Sequence, residues 1–254
     1  MMRWLAVFLL ILLSGCIHRP EPVWTEIPTT QELLDSVSAN ASRYTSLDAA
    51  AKVSLTTGIK YFPSQQFLLL QKPDHLRTDV LNGFGLLLLQ LASDGETLSV
   101  FLNTTVPGRF LRGPASYKNL YRFTKVPLAA EDLLALLLYG PPLIIHQDSS
   151  IEVSRKVLTL TLSGHNNSRQ ELLFDRQFKL IGCRYFTDNE NYLAVDYQKF
   201  SAKNQFPQRI KIMMPLKNIR VKLELSELKI NATIDPTRFS LKKHANIPIE
   251  GFPE

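Results

Sequence analysis

The stretch QFLLLQKPDHLRTDVLNGFGLLLLQLASDGETLSVFL, residues 66–102, holds four apolar runs: 66–72, 75–81, 86–92 and 97–102. They are cut by Pro73-Asp74, Asn82-Gly83 and Asp94-Gly95. Short β-prone runs bounded by such dipeptides are strands joined by tight turns. Four in succession predict an antiparallel meander.

The same pattern extends both ways. Upstream, Val53, Leu55 and Thr57 alternate with polar residues. Downstream, 151–153, 157–162, 170–174, 179–186, 192–200, 208–213 and 219–228 read as further strands. Two helical segments interrupt them. Thr29 and Glu32 have capping-box spacing, and Leu33, Val37, Ala41 and Tyr44 follow on one helical face. Pro127 precedes a second helix with Glu131 and Asp132 in its first turn, an apolar body Leu133–Leu138, and a stop at Gly140-Pro141-Pro142. The expected fold is therefore mainly β (α+β), with roughly eleven strands and two or three helices. A sheet that large curls. It must close or cover its concave face, and the helices are the available cover, giving an incomplete barrel. An apolar interior under so few helices is easily too large to fill, which suits acyl chains. Candidate cavity residues are Leu69, Leu76, Val80, Leu87, Leu89, Leu133, Leu136 and Leu137, with Phe67 beside them. Core packing and cavity lining both fit these positions.

The N-terminus reads as an export signal over residues 1–15: Arg3 supplies a positive start and Leu5–Leu13 an apolar run. That run is shorter than the about 20 residues a spanning helix needs. It ends in Leu13-Ser14-Gly15-Cys16, which resembles the lipobox of bacterial lipoproteins. The resemblance implies cleavage before Cys16 and acylation of that residue. Several acyl chains on one residue anchor a protein stably. Residues 16–28 then form the lipidated N-terminus and an extended tether with Pro20, Pro22 and Pro28, and residues 29–254 the folded domain. In the resembled lipoproteins an aspartate after the cysteine favours inner-membrane retention. Ile17 stands there, which implies the outer membrane with the domain facing the periplasm.

Composition narrows the function. The formal charge is +6, and removing residues 1–15 takes away only Arg3, leaving +5. The basic residues Arg209, Lys211, Lys217, Arg220, Lys222 and Lys229 alternate with apolar ones as on a solvated sheet face. No nucleic-acid motif accompanies them. A mild attraction to anionic headgroups is the better reading. With Cys16 acylated only Cys183 remains, so no intrachain disulfide is expected. His18, His75, His146, His165 and His244 are scattered, with no metal-ligand spacing, and no catalytic or cofactor motif is present. The expectation is a protein that is not an enzyme, with neither metal nor cofactor.

Three stretches resemble, in order, the LolA/LolB-type lipoprotein carriers and receptors, and LolB most. Leu81-Asn82-Gly83-Phe84-Gly85-Leu86 is similar to that family's Asn-Pro-Leu-Gly hairpin, with Gly83 for the proline and Phe84 for the projecting leucine. Residues 121–143 look like its central helix and glycine-ended loop. Residues 193–200, 206–210 and 221–225 resemble its closing strands. The tail 235–240 with Ile247-Pro248-Ile249 looks more like domains of unassigned role in the same superfamily. The resemblance implies acyl-chain binding, a membrane-contacting Phe84, an acylated protein or lipid as ligand, and a soluble periplasmic carrier as partner. The implied role is receiving and inserting lipoproteins or lipids into the outer membrane. A module for another hydrophobic ligand and a structural lipoprotein of an envelope export machine use the same fold.

Overall fold

The computed structural model describes Trp24, residues 26–243 and residues 246–253. The signal segment, Cys16, His18, His244 and most of the tether lie outside the described residues.

The chain begins with α1 (Thr30–Arg43), whose capping box is formed as the sequence predicts. The Glu32 amide donates to Thr29 Oγ1 at 3.3 Å, and the Thr29 amide to Glu32 Oε2 at 2.7 Å. The Thr29 amide, and after it the Thr29 hydroxyl, donate to the Glu32 carboxylate and hold it below its ordinary pKa. Six strands follow: β1 (Ser46–Thr57), β2 (Lys60–Gln71), β3 (His75–Leu81), β4 (Leu87–Asp94), β5 (Thr97–Leu102) and β6 (Arg109–Pro114). Two helices come next, α2 (Tyr117–Thr124) and α3 (Ala130–Leu137). The second half is β7 (His146–Val153), β8 (Leu158–Gly164), β9 (Ser168–Phe174), β10 (Leu180–Thr187), β11 (Glu190–Phe200), β12 (Pro207–Met214), β13 (Ile219–Ile230) and β14 (Ile249–Glu250).

All strands belong to one sheet in the order β14-β6-β5-β4-β3-β2-β1-β13-β12-β11-β10-β9-β8-β7. The two meanders meet where β1 pairs β13 antiparallel, with Leu55 opposite Val221. Among the described residues β14 and β7 remain unpaired edges, so the sheet is an incomplete barrel. The main core lies on its concave side, where α1, α2 and α3 pack against inward residues such as Leu68, Leu91, Leu160 and Leu223. Gly140, after α3, lets the chain approach α1 closely: a Cβ there would sit 2.6 Å from the Ala41 Cα.

The described residues form fourteen strands rather than roughly eleven. β6 has no readable alternation in the sequence, because RFLRGP carries two arginines and ends in Gly113-Pro114. β14 is two residues long and pairs parallel to β6. Within 121–143 the leucine helix and its glycine-ended stop stand where the sequence places them, and a separate short helix, α2, precedes them. Lys125 adopts a left-handed conformation at φ 59° and ends α2, and α3 starts afresh after Pro127. The convex face is not wholly solvated. Residues 234–241 run across it, burying Phe239 and Ile234 on Leu69, and Leu241 on Ala92, Phe101 and Phe110. The tether is docked before it ends: Trp24 Nε1 donates to the Ser154 carbonyl at 2.8 Å, and its ring meets Phe178.

Candidate functional site: an apolar cavity under the helices

Between the concave face of β1–β4, β12 and β13 and the helices α2 and α3 lies a cavity of about 430 Å³. Well-packed interiors leave few voids larger than a water. This one falls in the range of small-molecule sites, about 300–1,000 Å³. Its floor is built by strand periodicity: Val53 and Leu55 on β1, Leu68 and Leu70 on β2, Val221 and Leu223 on β13. Its roof is one face of α3, where Leu133, Leu134 and Leu137 point down, helped by Phe123 and Val126.

Of the candidate residues, the fold brings Leu76, Val80, Leu89, Leu133 and Leu137 to this cavity. Three belong elsewhere. Leu69 alternates with Leu68 and Leu70, so it faces the convex side under Ile234 and Phe239. Leu87 is separated from Leu89 by an irregularity in the β3–β4 register: Leu81 pairs Leu87 whereas Val80 pairs Leu89. The extra residue, Leu88, reverses the alternation and turns Leu87 towards Phe101 and Phe110. Leu136 lies on the far side of α3, buried beside a smaller pocket of about 200 Å³ with Tyr185 and Leu193. Phe67, like Leu69, is at an odd position of β2, and it is exposed. Pairing parity could have found Leu68 and Leu70, since partners across an antiparallel pair share a face, and Leu70 pairs Leu76.

A polar strip crosses the cavity floor. Thr78 Oγ1 donates to Gln66 Oε1 at 3.1 Å, and Gln66 Nε2 donates to Ser64 Oγ at 3.1 Å. All three residues face the cavity. The chain leaves one Gln66 N–H and the Ser64 hydroxyl hydrogen free to meet an acceptor. Arg77 reaches the cavity edge but its guanidinium is engaged by Asp79 at 3.1 Å and by the Arg238 carbonyl. Among the described residues no carboxylate lines the space. A more open surface depression of about 580 Å³ lies between residues 26–28, α1 and Phe178, where Glu26 and Glu32 place carboxylates in the lining.

Phe84 is at the apex of the β3–β4 hairpin, and it is 93% exposed. Asn82 builds that apex: its Oδ1 accepts from the Phe84 amide at 2.9 Å and the Leu86 amide at 3.0 Å. Gly85 takes φ 80°, which a side chain would resist. Among the described residues no group of three or more His, Cys, Asp or Glu could hold a metal ion. No described helix is long and apolar enough to cross a membrane. Cys183 is buried, and burial pushes its thiol up to about 12, so it is held neutral.

No protein-family model matches the sequence, and no curated relative matches it. Solved structures do match. A DUF1329 family protein from Desulfovibrio piger superposes with a TM-score of 0.55 at 10% identity, covering 84% of this chain and 98% of that one. A LolA superfamily protein from Nitrosomonas europaea gives 0.53 at 14% identity, over 85% and 99% of the two chains. A provisionally named outer membrane lipoprotein-sorting protein domain from Vibrio parahaemolyticus gives 0.53 at 11%, over 82% and 94%. The chain thus shares its overall fold with solved structures that include a LolA superfamily protein.

Proposed function

We propose that this chain is a lipid-anchored, non-catalytic receiver of acyl chains, of the LolB kind, at the outer membrane. The observation that carries this reading is the 430 Å³ cavity with Leu76, Val80, Leu89, Leu133 and Leu137 around it. Each methylene kept from water is worth about 0.8 kcal/mol. A cavity sheltering ten of them offsets about 8 kcal/mol of the cost of moving an acylated protein or lipid between carrier and bilayer. Transfer then needs no energy source, only a gradient of affinity from a soluble periplasmic carrier to this chain to the membrane. Acylation of Cys16 keeps the cavity near that membrane, and Phe84 supplies the contact with it.

The test is titration of the full chain with a fluorescent fatty-acyl probe, beside Val80→Trp. Val80 is half-buried at the cavity wall, so a larger ring there occupies ligand space with little strain. The wild type is expected to bind about one probe per protein with a negative heat-capacity change. Val80→Trp is expected to lose binding and keep its melting temperature. Absence of saturable binding to the wild type would sink the reading. Mass spectrometry of co-purifying material separates the roles: acylated peptide marks a lipoprotein receiver, free lipid another hydrophobic-ligand module, and a stable complex a structural lipoprotein. An unmodified N-terminal Cys16 in the mature protein would remove the anchor.

A further inference from the structure

Four consecutive turns on one rim of the sheet each raise a large apolar side chain into solvent. In spatial order they are the β5–β6 turn with Val106, β3–β4 with Phe84, β1–β2 with Ile59, and β12–β13 with Leu216. Val106, Phe84 and Ile59 are 103%, 93% and 101% exposed, and Leu216 is 60% exposed. The opposite rim carries the turns at 72–74, 94–96, 154–157, 175–178 and 201–206, and none of them exposes a large apolar residue. A single exposed apolar side chain is ordinary, but four on adjacent tips of the same rim are not.

Carboxylates follow the same division, although the opposite-rim turns also carry the basic Lys72, Arg155, Lys156, Arg176 and Lys203. The four apolar turns contain no Asp or Glu. Lys60 adjoins Ile59 and Lys217 adjoins Leu216, and neither lysine is in an ion pair among the described residues. Lys217 leans over the Tyr121 ring at 5.5 Å. The row ends at the β10–β11 turn, where Asp188 and Glu190 replace the apolar tip. Acidic Asp74, Asp94, Glu96 and Asp175 are all on the opposite rim.

We propose that these four turns form one docking face for an anionic lipid bilayer, with Val106, Phe84, Ile59 and Leu216 entering the interface and Lys60 and Lys217 meeting the headgroups. The proposal rests on the membrane location given above and widens the contact from one hairpin to a row. Spacing decides between membrane and protein. Adjacent hairpin tips are two strand spacings apart, about 9–10 Å. A protein-binding face gathers its anchors into a central packed cluster, whereas separate apolar wedges with basic neighbours suit an interface that flows around each one. Tyr61, Phe62 and Pro63, next to the Ile59 turn, line the cavity. Its contents would therefore meet the bilayer at the docked rim.

The test places one environment-sensitive dye at a time on the full chain, through Ile59→Cys, Phe84→Cys, Val106→Cys or Leu216→Cys, with Gln177→Cys on the opposite rim as reference. Cys183 is buried and does not compete for label, and unsubstituted protein reports any labelling at Cys16. On vesicles of phosphatidylcholine with phosphatidylglycerol, emission from all four rim sites is expected to shift to the blue while Gln177→Cys stays unchanged. Omitting phosphatidylglycerol, or introducing Lys60→Glu with Lys217→Glu, is expected to weaken docking roughly tenfold. A shift at Phe84 alone, at none of the four, or equally at Gln177 would overturn the proposal. So would rim sites that stay wet on vesicles and are protected only in a stable protein complex. A chain that binds no acyl probe yet shows all four shifts would remove the carrier reading and support the docking face.

Discussion

Tyr197 of β11 donates its hydroxyl to the main-chain carbonyl of Leu136, 3.0 Å away, with both residues buried in the core. That bond fixes the last turn of α3 to the sheet. The Tyr139 hydroxyl donates to the Leu180 carbonyl at 2.8 Å, and the Tyr185 hydroxyl to the Pro142 carbonyl at 2.8 Å. Gln170, fully buried, accepts from the Ile144 amide and donates to the same Pro142 carbonyl. The helix and the loop after it are thus bolted down by polar groups that are costly to leave unpaired. Leu133 and Leu137 stay over the cavity, and Leu136 is turned away from it.

Tyr197→Phe should lower stability by about 1 kcal/mol, the low end for a buried carbonyl, because the Tyr139 amide still reaches Leu136 O at 3.3 Å. Leu136→Ala should cost about 2–5 kcal/mol through the hole it leaves. Probe affinity of the folded fraction should be unchanged in both. Urea denaturation with parallel titration checks this, and a stable Leu136→Ala that no longer binds probe would put Leu136 back on the cavity.

The strip Thr78–Gln66–Ser64 sets a preference within the ligand class. An acyl chain carrying an ester or amide carbonyl can accept from Gln66 or Ser64, whereas a plain alkyl chain leaves those groups unmet. The net worth of one such bond is about 1 kcal/mol, a preference of about fivefold. Gln66→Leu should erase it and bind the alkyl probe at least as well as the wild type. Equal affinity for both probes in the wild type would show that the strip is only structural.

Most of the sheet was legible because inward and outward residues alternate in β8, β9 and the first half of β13, and turn dipeptides cut the runs. The cavity was legible as a class of site but not residue by residue. In Leu68-Leu69-Leu70 both faces of β2 are apolar, because the C-terminal segment covers the convex side there. No local pattern reveals a cover supplied from residue 239. Leu86 to Leu89 is uniformly leucine, so the position of the irregularity that separates Leu87 from Leu89 leaves no trace in composition. The apolar body of α3 conceals its own inner face for the same reason. Phe84 was readable as a hairpin tip, yet its companions Ile59, Val106 and Leu216 were not, since membership of one rim is set by strand order.

Alkaline pH should unfold the protein through the groups that bolt it. Burial raises the Tyr139, Tyr185 and Tyr197 hydroxyls above their ordinary value of 10.0, and raises Cys183 from 9.0 to about 12. Each keeps its proton in the fold beyond the pH at which it is lost when unfolded. The stabilising contribution is therefore full below the unfolded pKa and declines as pH climbs towards the folded one. The melting temperature should be flat for these groups below pH 9, begin to fall between 9 and 10 as Cys183 enters its window, and fall more steeply above 10. Cys183→Ala should remove the first part of the decline, and Tyr185→Phe should flatten the second. A melting temperature that does not fall between pH 9 and 12 would contradict the assignment.

The Phe84 hairpin separates position from chemistry. Phe84 makes no core contact, so Phe84→Glu should leave the melting temperature unchanged while impairing delivery of acylated cargo to liposomes; burial of that ring in an interface is worth roughly 1.5–3 kcal/mol. Asn82 holds the ring outward through two amides. Asn82→Ala keeps the aromatic but frees the turn, at a cost of about 1 kcal/mol. Its delivery should fall less than that of Phe84→Glu, and lowering temperature should restore part of it as the turn re-forms. Delivery measured beside melting temperature decides the matter. A collapsed melting temperature in Phe84→Glu would place the ring in the core, and normal delivery with normal stability would make it a bystander.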